Sequence, residues 1–416
     1  MKKIKLKLNK TTILTLILFL AFFTRVFRLG HPKAYVFDEV YNAFTAQEIA
    51  KGNIKAWEWW NSAPQGLAYE WTHPPLGKII MAGGVFLFGG QHWCYRLPAA
   101  FFGTGVILLI YLLGKQLFED EKIALLAAFL ASLDGLLLVM SRTGMLDIFF
   151  VFFLLTTILF FLKGKYFSSG IFLGFSLATK WIGFYLYPVL GILILKEFIF
   201  LWKNKKQKTV FKLFLTYLLF FVIVPGLIYF LSYGFFFQTG HSLSQFWELQ
   251  KQMWGYHTNL KASHDYQSLA LTWPLMFRPV WFWVRYNKDK IGNIYNLGNP
   301  LIWWAGLTVL PVSIIKAAKD LFKRKKFKYS FLIFCYFSFW LPWAFSPRIM
   351  FLHHYLSAIP FLCLILANFL SEQKKQIILT YLVLVVLGFM FFYPLNTGVF
   401  IPKDLVKFFF WLPSWK

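Results

Sequence analysis

Long apolar stretches constrain this chain more than any other feature. A helix that crosses a bilayer needs about 20 mostly apolar residues. Eleven such runs lie near 11–28, 97–115, 122–140, 145–162, 167–181, 184–202, 209–232, 300–318, 329–345, 350–370 and 376–393. Only 14% of the residues are charged and 58% are hydrophobic, whereas soluble domains carry about 25% charged residues. The sequence therefore predicts an all-α polytopic membrane protein with eleven transmembrane helices.

Basic clusters predict the orientation of these spans. Cytoplasmic connections are enriched in Lys and Arg. With the N-terminal lysines in the cytoplasm, the later cytoplasmic connections are 116–121, 163–166, 203–208, 319–328 and 371–375, and every strong basic cluster falls on that side. The net charge of +26 is therefore interpreted as a topology signal, not as nucleic-acid binding. The N-terminus resembles a signal peptide but lacks a small-residue cleavage site, so an uncleaved first helix is predicted.

Two long external connections divide the chain. In this topology residues 29–96 and 233–299 are external, and connections of this length are usually functional. The apolar, glycine-rich stretch 76–90 is predicted to be a helix on or in the membrane surface. The predicted organisation is an N-terminal transmembrane region 1–232, the loop 233–299, and a C-terminal transmembrane region 300–416 with an external tail.

Ionisable residues gather at the external ends of the predicted spans, where they are costly in such an apolar chain and hence functional candidates. They are Asp38, Glu39, His73, Lys78, Arg96, Arg142, Asp147, Lys180, Arg348, His353 and His354, with Tyr355 beside them. Each alone also has a structural explanation, such as a helix cap, a rigid Pro-Pro turn or a cation that reaches for the interface. Asp134, inside a span, is expected to be a buried partner of a basic side chain.

Two carboxylates that face several cations suit group transfer from a phosphate-bearing donor. A carboxylate can take the proton of a hydroxyl acceptor as general base. Arginine and lysine can hold a phosphate and stabilise the charge that develops as it leaves. Attack at a sugar carbon opposite the phosphate would invert the anomeric centre. In a membrane, the natural donor of this kind is lipid-linked.

These residues lie in stretches that resemble the bacterial protein O-mannosyltransferases. The stretches are FDEVYNA at 37–43, THPPLGK at 72–78, YRLPAAFFG at 95–103, LDGLLLVMSRTGMLD at 133–147, LATKWIG at 177–183, FWELQKQMWGYH at 246–257, WPLMFRPVW at 273–281 and SPRIMFLHHYLSAIPFL at 346–362. They follow the order of the family and cover nearly the whole chain. The later external loop is too short for the β-trefoil-like domain of eukaryotic members, which indicates the prokaryotic branch.

The resemblance implies the C-type glycosyltransferase fold, with a large first external loop that bears juxtamembrane helices. It also implies an inverting enzyme of the cell membrane, with a cytoplasmic N-terminus and an external active site. The reaction would move mannose from polyprenyl-phosphate-mannose to Ser or Thr of exported proteins, with the export translocon as a candidate partner.

Residue roles follow from the same resemblance. Asp38 and Glu39 would be catalytic, with Asp38 as the base, and Arg96, Arg142, Lys180 and Arg348 would bind the donor phosphate or sugar. The supporting residues would be His73, Lys78, Asp147, His353, His354 and Tyr355. No tight metal-ligand spacing occurs, so no obligate metal or other cofactor is predicted, and a divalent cation has no support.

Three alternatives stay open at the level of sequence. A related lipid-linked sugar transferase of the same fold could act on a lipid or an envelope glycan, because the sugar-reading contacts cannot be identified. A transporter would place charged residues at mid-span and show inverted repeats with broken helices, and no such repeat is evident. A purely structural scaffold would leave the one-sided polar cluster unexplained.

Overall fold

The computed structural model describes residues 9–204, 206–322 and 327–416, which are mostly helical. The α-helices are α1 (Lys10–Val26), α2 (Asn42–Ala50), α3 (Leu76–Phe88), α4 (His92–Phe118), α5 (Glu121–Ser132), α6 (Gly135–Met140), α7 (Asp147–Leu162), α8 (Tyr166–Thr179), α9 (Leu186–Lys203), α10 (Gln207–Leu218), α11 (Val224–Leu231), α12 (Gly234–Gln238), α13 (Leu243–Asn259), α14 (Pro300–Phe322), α15 (Phe327–Ser338), α16 (Ile359–Ser371) and α17 (Lys375–Thr397). Short 3-10 helices cover Phe37–Val40, Ile54–Trp57, Trp181–Tyr185, Ala270–Leu275, Leu341–Phe345, Leu352–Ala358, Lys403–Phe409 and Pro413–Trp415.

The predicted spans all fall on helices. The span near 122–140 consists of α5 and α6, and the span near 209–232 consists of α10 and α11 joined by a π-helical turn at Leu219–Ile223. Within the described residues, six helical segments are long and apolar enough to cross a membrane. The polytopic helical class is thus confirmed, while the count of eleven stays a prediction. The helix predicted in the first loop is present as α3.

Several of the connections predicted to be cytoplasmic lie close together where the structure describes them. Ion pairs join them across distant parts of the chain: Lys10–Glu121 (3.1 Å), Lys328–Glu119 and Lys316–Glu372. These contacts agree with the predicted topology for the connections that they join, and the orientation stays a prediction. The basic residues at 1–8, 205 and 323–326, on which the orientation partly depends, lie outside the described residues.

The break between α5 and α6 occurs at Asp134, which caps α6 by accepting a hydrogen bond from the Leu137 backbone N–H at 2.9 Å. Its other oxygen accepts from the Trp303 indole N–H at 2.7 Å and from the Asn299 backbone N–H at 3.3 Å. N–H groups of neutral residues satisfy this fully buried carboxylate, and no basic side chain among the described residues forms a hydrogen bond or ion pair with it. The charge of Arg25 acts on Asp134 without such a contact.

A small antiparallel sheet adds to the predicted all-α architecture. Strand β1 (Trp281–Asn287) pairs with β2 (Lys290–Tyr295), and β2 pairs with β3 (Ile401–Pro402). The register sets Asn287 opposite Lys290 and Ile291 opposite Ile401. Because β3 belongs to the C-terminal tail, the sheet fixes that tail to the later external loop.

The two external loops pack against each other through an aromatic cluster. Residues from the first loop, including Phe44 and Tyr69, contact Tyr233, Phe236 and Phe246 of the later one. Helix α13 lies in this contact, and its capping box at Ser242 and Gln245 sets its start. The space between the loops and the ends of the spans holds the polar residues singled out above.

Candidate active site

The acidic pair of the first loop is divided by its own 3-10 helix. Glu39 is fully buried, and its carboxylate accepts hydrogen bonds from the backbone N–H groups of Val36 (2.9 Å) and Gly144 (2.7 Å). It also accepts from Arg96 Nε at 2.8 Å and Nη2 at 2.6 Å. The neighbouring Asp38 side chain is only partly buried. Glu39 thus anchors the loop, and the catalytic role expected of the pair stays a prediction.

Arg96 has no donor left for a phosphate. A guanidinium has five N–H groups, and in Arg96 two bind Glu39 while the other three bind backbone carbonyls of Leu29 (3.2 Å), Pro32 (3.0 Å) and Ala34 (2.8 Å). The side chain is 1% exposed. Arg96 therefore holds the entry of the first loop against α4, and its expected role at the donor stays a prediction.

Arg142 also binds backbone carbonyls, through its Nη1 alone among the hydrogen bonds of the described residues. Its Nη1 donates to the carbonyls of Thr24 (2.8 Å), Arg25 (2.9 Å) and Phe27 (2.9 Å), which belong to the last turn of α1. The last carbonyls of a helix lack partners within the helix and carry partial negative charge. Arg142 therefore caps α1, and its expected role at the donor stays a prediction.

Lys180 and Asp147 form a second buried pair. Lys180 Nζ lies 2.9 Å from Asp147 Oδ1, and their side chains are 8% and 7% exposed. Asp147 is the first residue of α7, and Lys180 follows the last residue of α8. An ammonium has three donors, so this contact with Asp147 leaves Lys180 with further donors at the wall of the cavity described below.

Arg348 comes from the irregular segment before the Leu352–Ala358 helix. Its Nη1 contacts Nδ1 of His257, its guanidinium carbon lies 5.9 Å from the centre of the Tyr256 ring, and its buried Nε has no hydrogen-bond partner among the described residues. His257 Nε2 is 2.7 Å from the Thr72 carbonyl. Because Nε2 must donate to that carbonyl, Nδ1 is left to accept from Arg348.

Two histidines extend this cluster. The His73 and His257 rings stack with centroids 5.1 Å apart. Burial, followed by the charge of Arg348, lowers the pKa of His257 to about 4. Burial also lowers the pKa of His73 well below its usual value, and the nearby cations Lys180 and Lys78 act in the same direction. Both rings are therefore neutral at pH 7.

Asp38 is the carboxylate whose pKa several charged residues of the site affect. Burial raises its pKa to about 7, with further increases from Glu70 and Asp147, while Lys180 and Arg348 lower it. A pKa close to ambient pH suits a general base. Glu70 is absent from the sequence prediction, although it stands two residues before the THPPLGK stretch. Its carboxylate accepts from Thr72 Oγ1 at 2.6 Å and from the His73 N–H at 2.9 Å.

The remaining predicted residues divide between the site and the packing around it. His354 lines the cavity, and its ring lies 4.7 Å from Trp343. His353 stacks on His354 at 4.5 Å, with Phe37 next to it at 5.8 Å.

Lys78 is buried and donates to the His73 carbonyl at 2.9 Å. The Tyr355 hydroxyl is 2.6 Å from that of Tyr336, inside the bundle. Lys78 and Tyr355 thus support the structure around the site.

A cavity of about 830 Å³ opens beside these residues. One end holds Lys180, Arg348, His73, His257 and His354, whereas the rest of the wall is largely aromatic and aliphatic. That apolar part includes Trp181, Phe184, Tyr185, Tyr187, Val222, Tyr229, Phe230, Phe246, Trp247 and Trp254, contributed by α9, α11, α13, the π-helical turn at Leu219–Ile223 and the 3-10 helix at Trp181–Tyr185. The shape suits a ligand with an anionic head and an apolar tail.

The described residues contain no cluster of metal ligands. Among residues 9–204, 206–322 and 327–416, no three His, Cys, Asp or Glu side chains lie close enough to hold an ion. The absence of an obligate metal stays a prediction.

Comparison with known proteins gives one family. Residues 15–239 match the family model described as dolichyl-phosphate-mannose–protein mannosyltransferase, and residues 242–415 match that of the C-terminal four-span region of protein O-mannosyltransferase. A polyprenol-phosphate-mannose–protein mannosyltransferase of Corynebacterium glutamicum is 28% identical over 83% of this chain and 81% of its own. One from Mycolicibacterium smegmatis is 25% identical over 95% and 91%.

A solved structure gives the same fold. The protein O-mannosyltransferase Pmt1–Pmt2 complex of S. cerevisiae, bound to the sugar donor, aligns with a TM-score of 0.84 at 16% identity over 99% of this chain and 93% of the yeast chain. At this identity the likeness concerns the fold alone.

Proposed function

The chain belongs to the dolichyl-phosphate-mannose–protein mannosyltransferase family, whose model matches more than half of it, and from this membership we propose its reaction. The enzyme moves mannose from polyprenyl-phosphate-mannose to Ser or Thr hydroxyls of proteins. The relatives in Corynebacterium and Mycolicibacterium carry names of that activity. The observation that carries the proposal is the cationic end of an apolar cavity, formed by Lys180 and Arg348, whose charges also act on Asp38.

The donor fits this cavity by its chemistry. The polyprenyl chain lies along the aromatic and aliphatic wall, and its phosphate lies against Lys180 and Arg348. Both cations hold further donors: Lys180 uses one N–H on Asp147, and the Arg348 Nε is buried without a partner among the described residues. Charge-assisted hydrogen bonds of this kind are short and strong.

The reaction then needs one base and a stabilised leaving group. The acceptor oxygen attacks C1 of mannose while Asp38 takes the hydroxyl proton, and the bond between C1 and the phosphate oxygen breaks. The electron pair of that bond leaves with polyprenyl phosphate, whose second negative charge is stabilised by Lys180 and Arg348. Because the oxygen enters opposite the leaving phosphate, the anomeric centre inverts. A phosphate leaving group needs little proton donation, so the neutral histidines are not needed as acids. His257 instead positions Arg348.

The test is transfer of radiolabelled mannose from polyprenyl-phosphate-mannose by purified enzyme in lipid. A Ser/Thr-rich peptide should gain label, and a matched peptide with Ala at every Ser and Thr should gain none. Label on envelope lipid or glycan with both peptides unlabelled would refute the protein acceptor.

The same assay tests the metal prediction. The enzyme should keep full activity after treatment with EDTA. A loss of activity that Mg²⁺ or Mn²⁺ restores would show that the enzyme needs a metal.

We further infer that the enzyme lies in the cell membrane with its active site outside. The transmembrane regions are 1–232 and 300–416, and the loop 233–299 is external. Single cysteines at the exposed positions Lys55 and Lys374 test this. An impermeant maleimide added to intact cells should label the Lys55→Cys variant alone, whereas labelling of Lys374→Cys alone would invert the topology. The export translocon is a proposed partner, to be tested by cross-linking in the same cells.

A further inference from the structure

A separate cavity of about 390 Å³ lies where the chain leaves the C-terminal end of α1. Its lining consists of Arg28, Gly30, His31, Lys33 and Arg285, and among the described residues it shares none with the cavity of the proposed donor. The first four belong to the connection between α1 and the first-loop 3-10 helix, whereas Arg285 belongs to β1. Two distant parts of the chain therefore supply one small cavity.

This cavity carries an excess of positive charge. Arg28, Lys33 and Arg285 are cations, and no Asp or Glu is among the described residues that line it. None of the three cations forms an ion pair in the described part of the chain. Like charges around one small space repel each other, and a bound anion removes that repulsion. The cavity therefore suits an anionic ligand.

His31 fixes the connection after α1 to the sheet. Its Nε2 donates to the Gly398 carbonyl at 3.0 Å, and its ring meets the Trp283 ring edge-on with centroids 5.7 Å apart. Burial lowers the pKa of His31, and the charges of Arg28 and Arg96 act in the same direction. The ring is therefore neutral at pH 7, and the two arginines and the lysine of the lining set the charge of the cavity.

Arg28 occupies a backbone position that favours glycine. Its φ is 55°, in the left-handed region, where a side chain is strained and glycine is not. The turn is closed by a hydrogen bond from the His31 N–H to the Arg28 carbonyl at 2.9 Å. Strained residues of this kind cluster at functional sites, so the conformation points to a role for the charge of this side chain.

The face of α1 that leads to the cavity is aromatic and exposed. Phe19, Phe23 and Phe27 recur every four residues and so share one face of the helix, where they are 66%, 49% and 47% exposed. Their rings stack in succession, with centroids 6.4 Å and 5.5 Å apart. In the proposed topology α1 spans the membrane, so this face contacts acyl chains and Arg28 follows it at the depth of the lipid headgroups. An anion at the cavity is thus placed to continue into an acyl chain.

The two elements that line the cavity both contact the surroundings of the proposed base. The connection after α1 leads into the first-loop 3-10 helix, and Arg96 ties it to α4 by donating to the carbonyls of Leu29 (3.2 Å) and Pro32 (3.0 Å). In β1, Phe282 stacks on Phe37 of that 3-10 helix with centroids 4.4 Å apart. A ligand held by cations of both elements therefore joins them.

We propose that this cavity binds the phosphate headgroup of an anionic phospholipid, whose acyl chain lies along the aromatic face of α1. The phosphate accepts hydrogen bonds from Arg28, Lys33 and Arg285, which are charge-assisted and hence strong. Free glycerol phosphate offers the same headgroup chemistry but has no acyl chain for the aromatic face. The site is separate from that of the proposed reaction, so its test needs no transfer of mannose.

Photocross-linking in nanodiscs tests the proposal on wild-type enzyme. Phosphatidylglycerol or phosphatidylcholine, each with a diazirine in the same acyl chain, is diluted into phosphatidylcholine, and adducts are mapped by mass spectrometry. The yield on residues 19–27, divided by the yield on α17 as a lipid-facing reference, should be at least about tenfold higher for phosphatidylglycerol, because each cation near an anionic headgroup contributes about fivefold. Equal ratios for the two lipids overturn the proposal.

Matched variants assign the preference to the cavity. One variant carries Gln at the three cations of the lining, Arg28, Lys33 and Arg285, which are all exposed. The control carries Gln at three other exposed cations, which are Lys55, Lys261 and Lys407. The first variant should lose the preference for phosphatidylglycerol and the control should keep it within about twofold, a margin below the loss of one cation. A preference that survives in the first variant, or that falls equally in both, overturns the proposal.

Competition distinguishes the two sources of the headgroup. Unlabelled phosphatidylglycerol should remove the adducts on residues 19–27 of wild-type enzyme, whereas soluble glycerol phosphate at the same concentration should leave them. Removal by glycerol phosphate to the same extent would mean that the acyl chain adds nothing, and it would overturn the assignment to a lipid.

Discussion

Arg96 donates two hydrogen bonds to Glu39, and the two side chains are 1% and 0% exposed. This pair explains why two adjacent carboxylates have different roles. Glu39 has a buried cation and two backbone N–H groups to stabilise its charge. Asp38 lacks such an ion pair among the described residues, and burial raises its pKa to about 7. One residue therefore fixes the loop, and its neighbour is left to take a proton.

Removal of one partner of this pair should destabilise the fold. Glu39→Gln leaves the buried charge of Arg96 uncompensated. Arg96→Met leaves the charge of Glu39 uncompensated and three backbone carbonyls without partners. Each variant should lose about 3–5 kcal/mol in the free energy of unfolding. The measurement is thermal unfolding of purified protein in detergent, followed by tryptophan fluorescence. The double variant should lose less than the sum of the two single losses. Additive losses would mean that the pair is not coupled.

Arg142 and Arg348 should separate stability from donor binding. Arg142→Met removes the cap of α1, so its melting temperature should fall by the equivalent of about 1.5–3 kcal/mol for hydrogen bonds from a charged group. The donor KM of the folded fraction should stay within about twofold, since this cation contacts backbone carbonyls alone among its described partners. A donor KM that rises as much as in Arg348→Ala would return Arg142 to the donor site.

Arg348→Ala should weaken donor binding. Loss of a charge-assisted contact to phosphate is expected to raise the donor KM about tenfold to a hundredfold. Initial rates at varied polyprenyl-phosphate-mannose and saturating peptide measure this. Arg348→Lys is the control: it keeps the charge and should recover part of the loss. Donor kinetics equal to those of wild type would refute the phosphate assignment.

Activity should depend on the protonation of Asp38. Because the base must be ionised and its pKa is about 7, kcat/KM should fall about tenfold per pH unit below that value and level off above it. His257, with a pKa of about 4, stays neutral across this range and adds no second step. The profile is measured from pH 5 to 9 with stability checked at each point. A flat profile between pH 5 and 8 would remove Asp38 from the base role.

The contribution of Asp38 to the free energy of unfolding should fall as pH rises, whereas its contribution to activity should increase. A carboxyl whose folded pKa lies above its unfolded value contributes stability at low pH that is lost as pH rises through the folded pKa. Asp38→Asn removes this loss, so the variant should melt at or above the wild-type temperature at pH 8. A lower melting temperature at pH 8 would indicate that Asp38 also stabilises the fold.

Much of the architecture could be predicted from the sequence, because span length is set by the bilayer and needs no tertiary information. Helices occur at every predicted span and at 76–90. The short strands at Trp281–Asn287 and Lys290–Tyr295 could not be found, since their aromatic residues also suit a loop at the membrane surface. The second of these strands also pairs with Ile401, more than a hundred residues away.

The site was predictable in part for a similar reason. The topology predicts that these cations lie at one depth in the membrane, but it does not predict which groups they bind. Arg96 and Arg142 bind backbone carbonyls that any sequence would offer, so nothing in their neighbours distinguishes them from Arg348. Glu70 was missed because a single acidic residue in a loop has no pattern of its own, although its charge acts on Asp38.

The most direct test of the whole account is transfer of radiolabelled mannose from polyprenyl-phosphate-mannose to a Ser/Thr peptide by wild-type and Asp38→Asn enzyme. Both proteins are purified in parallel and matched for melting temperature. The account predicts label on the peptide with wild type and at least about a hundredfold less with the variant, the scale of a lost general base. Equal transfer by the two proteins would contradict it.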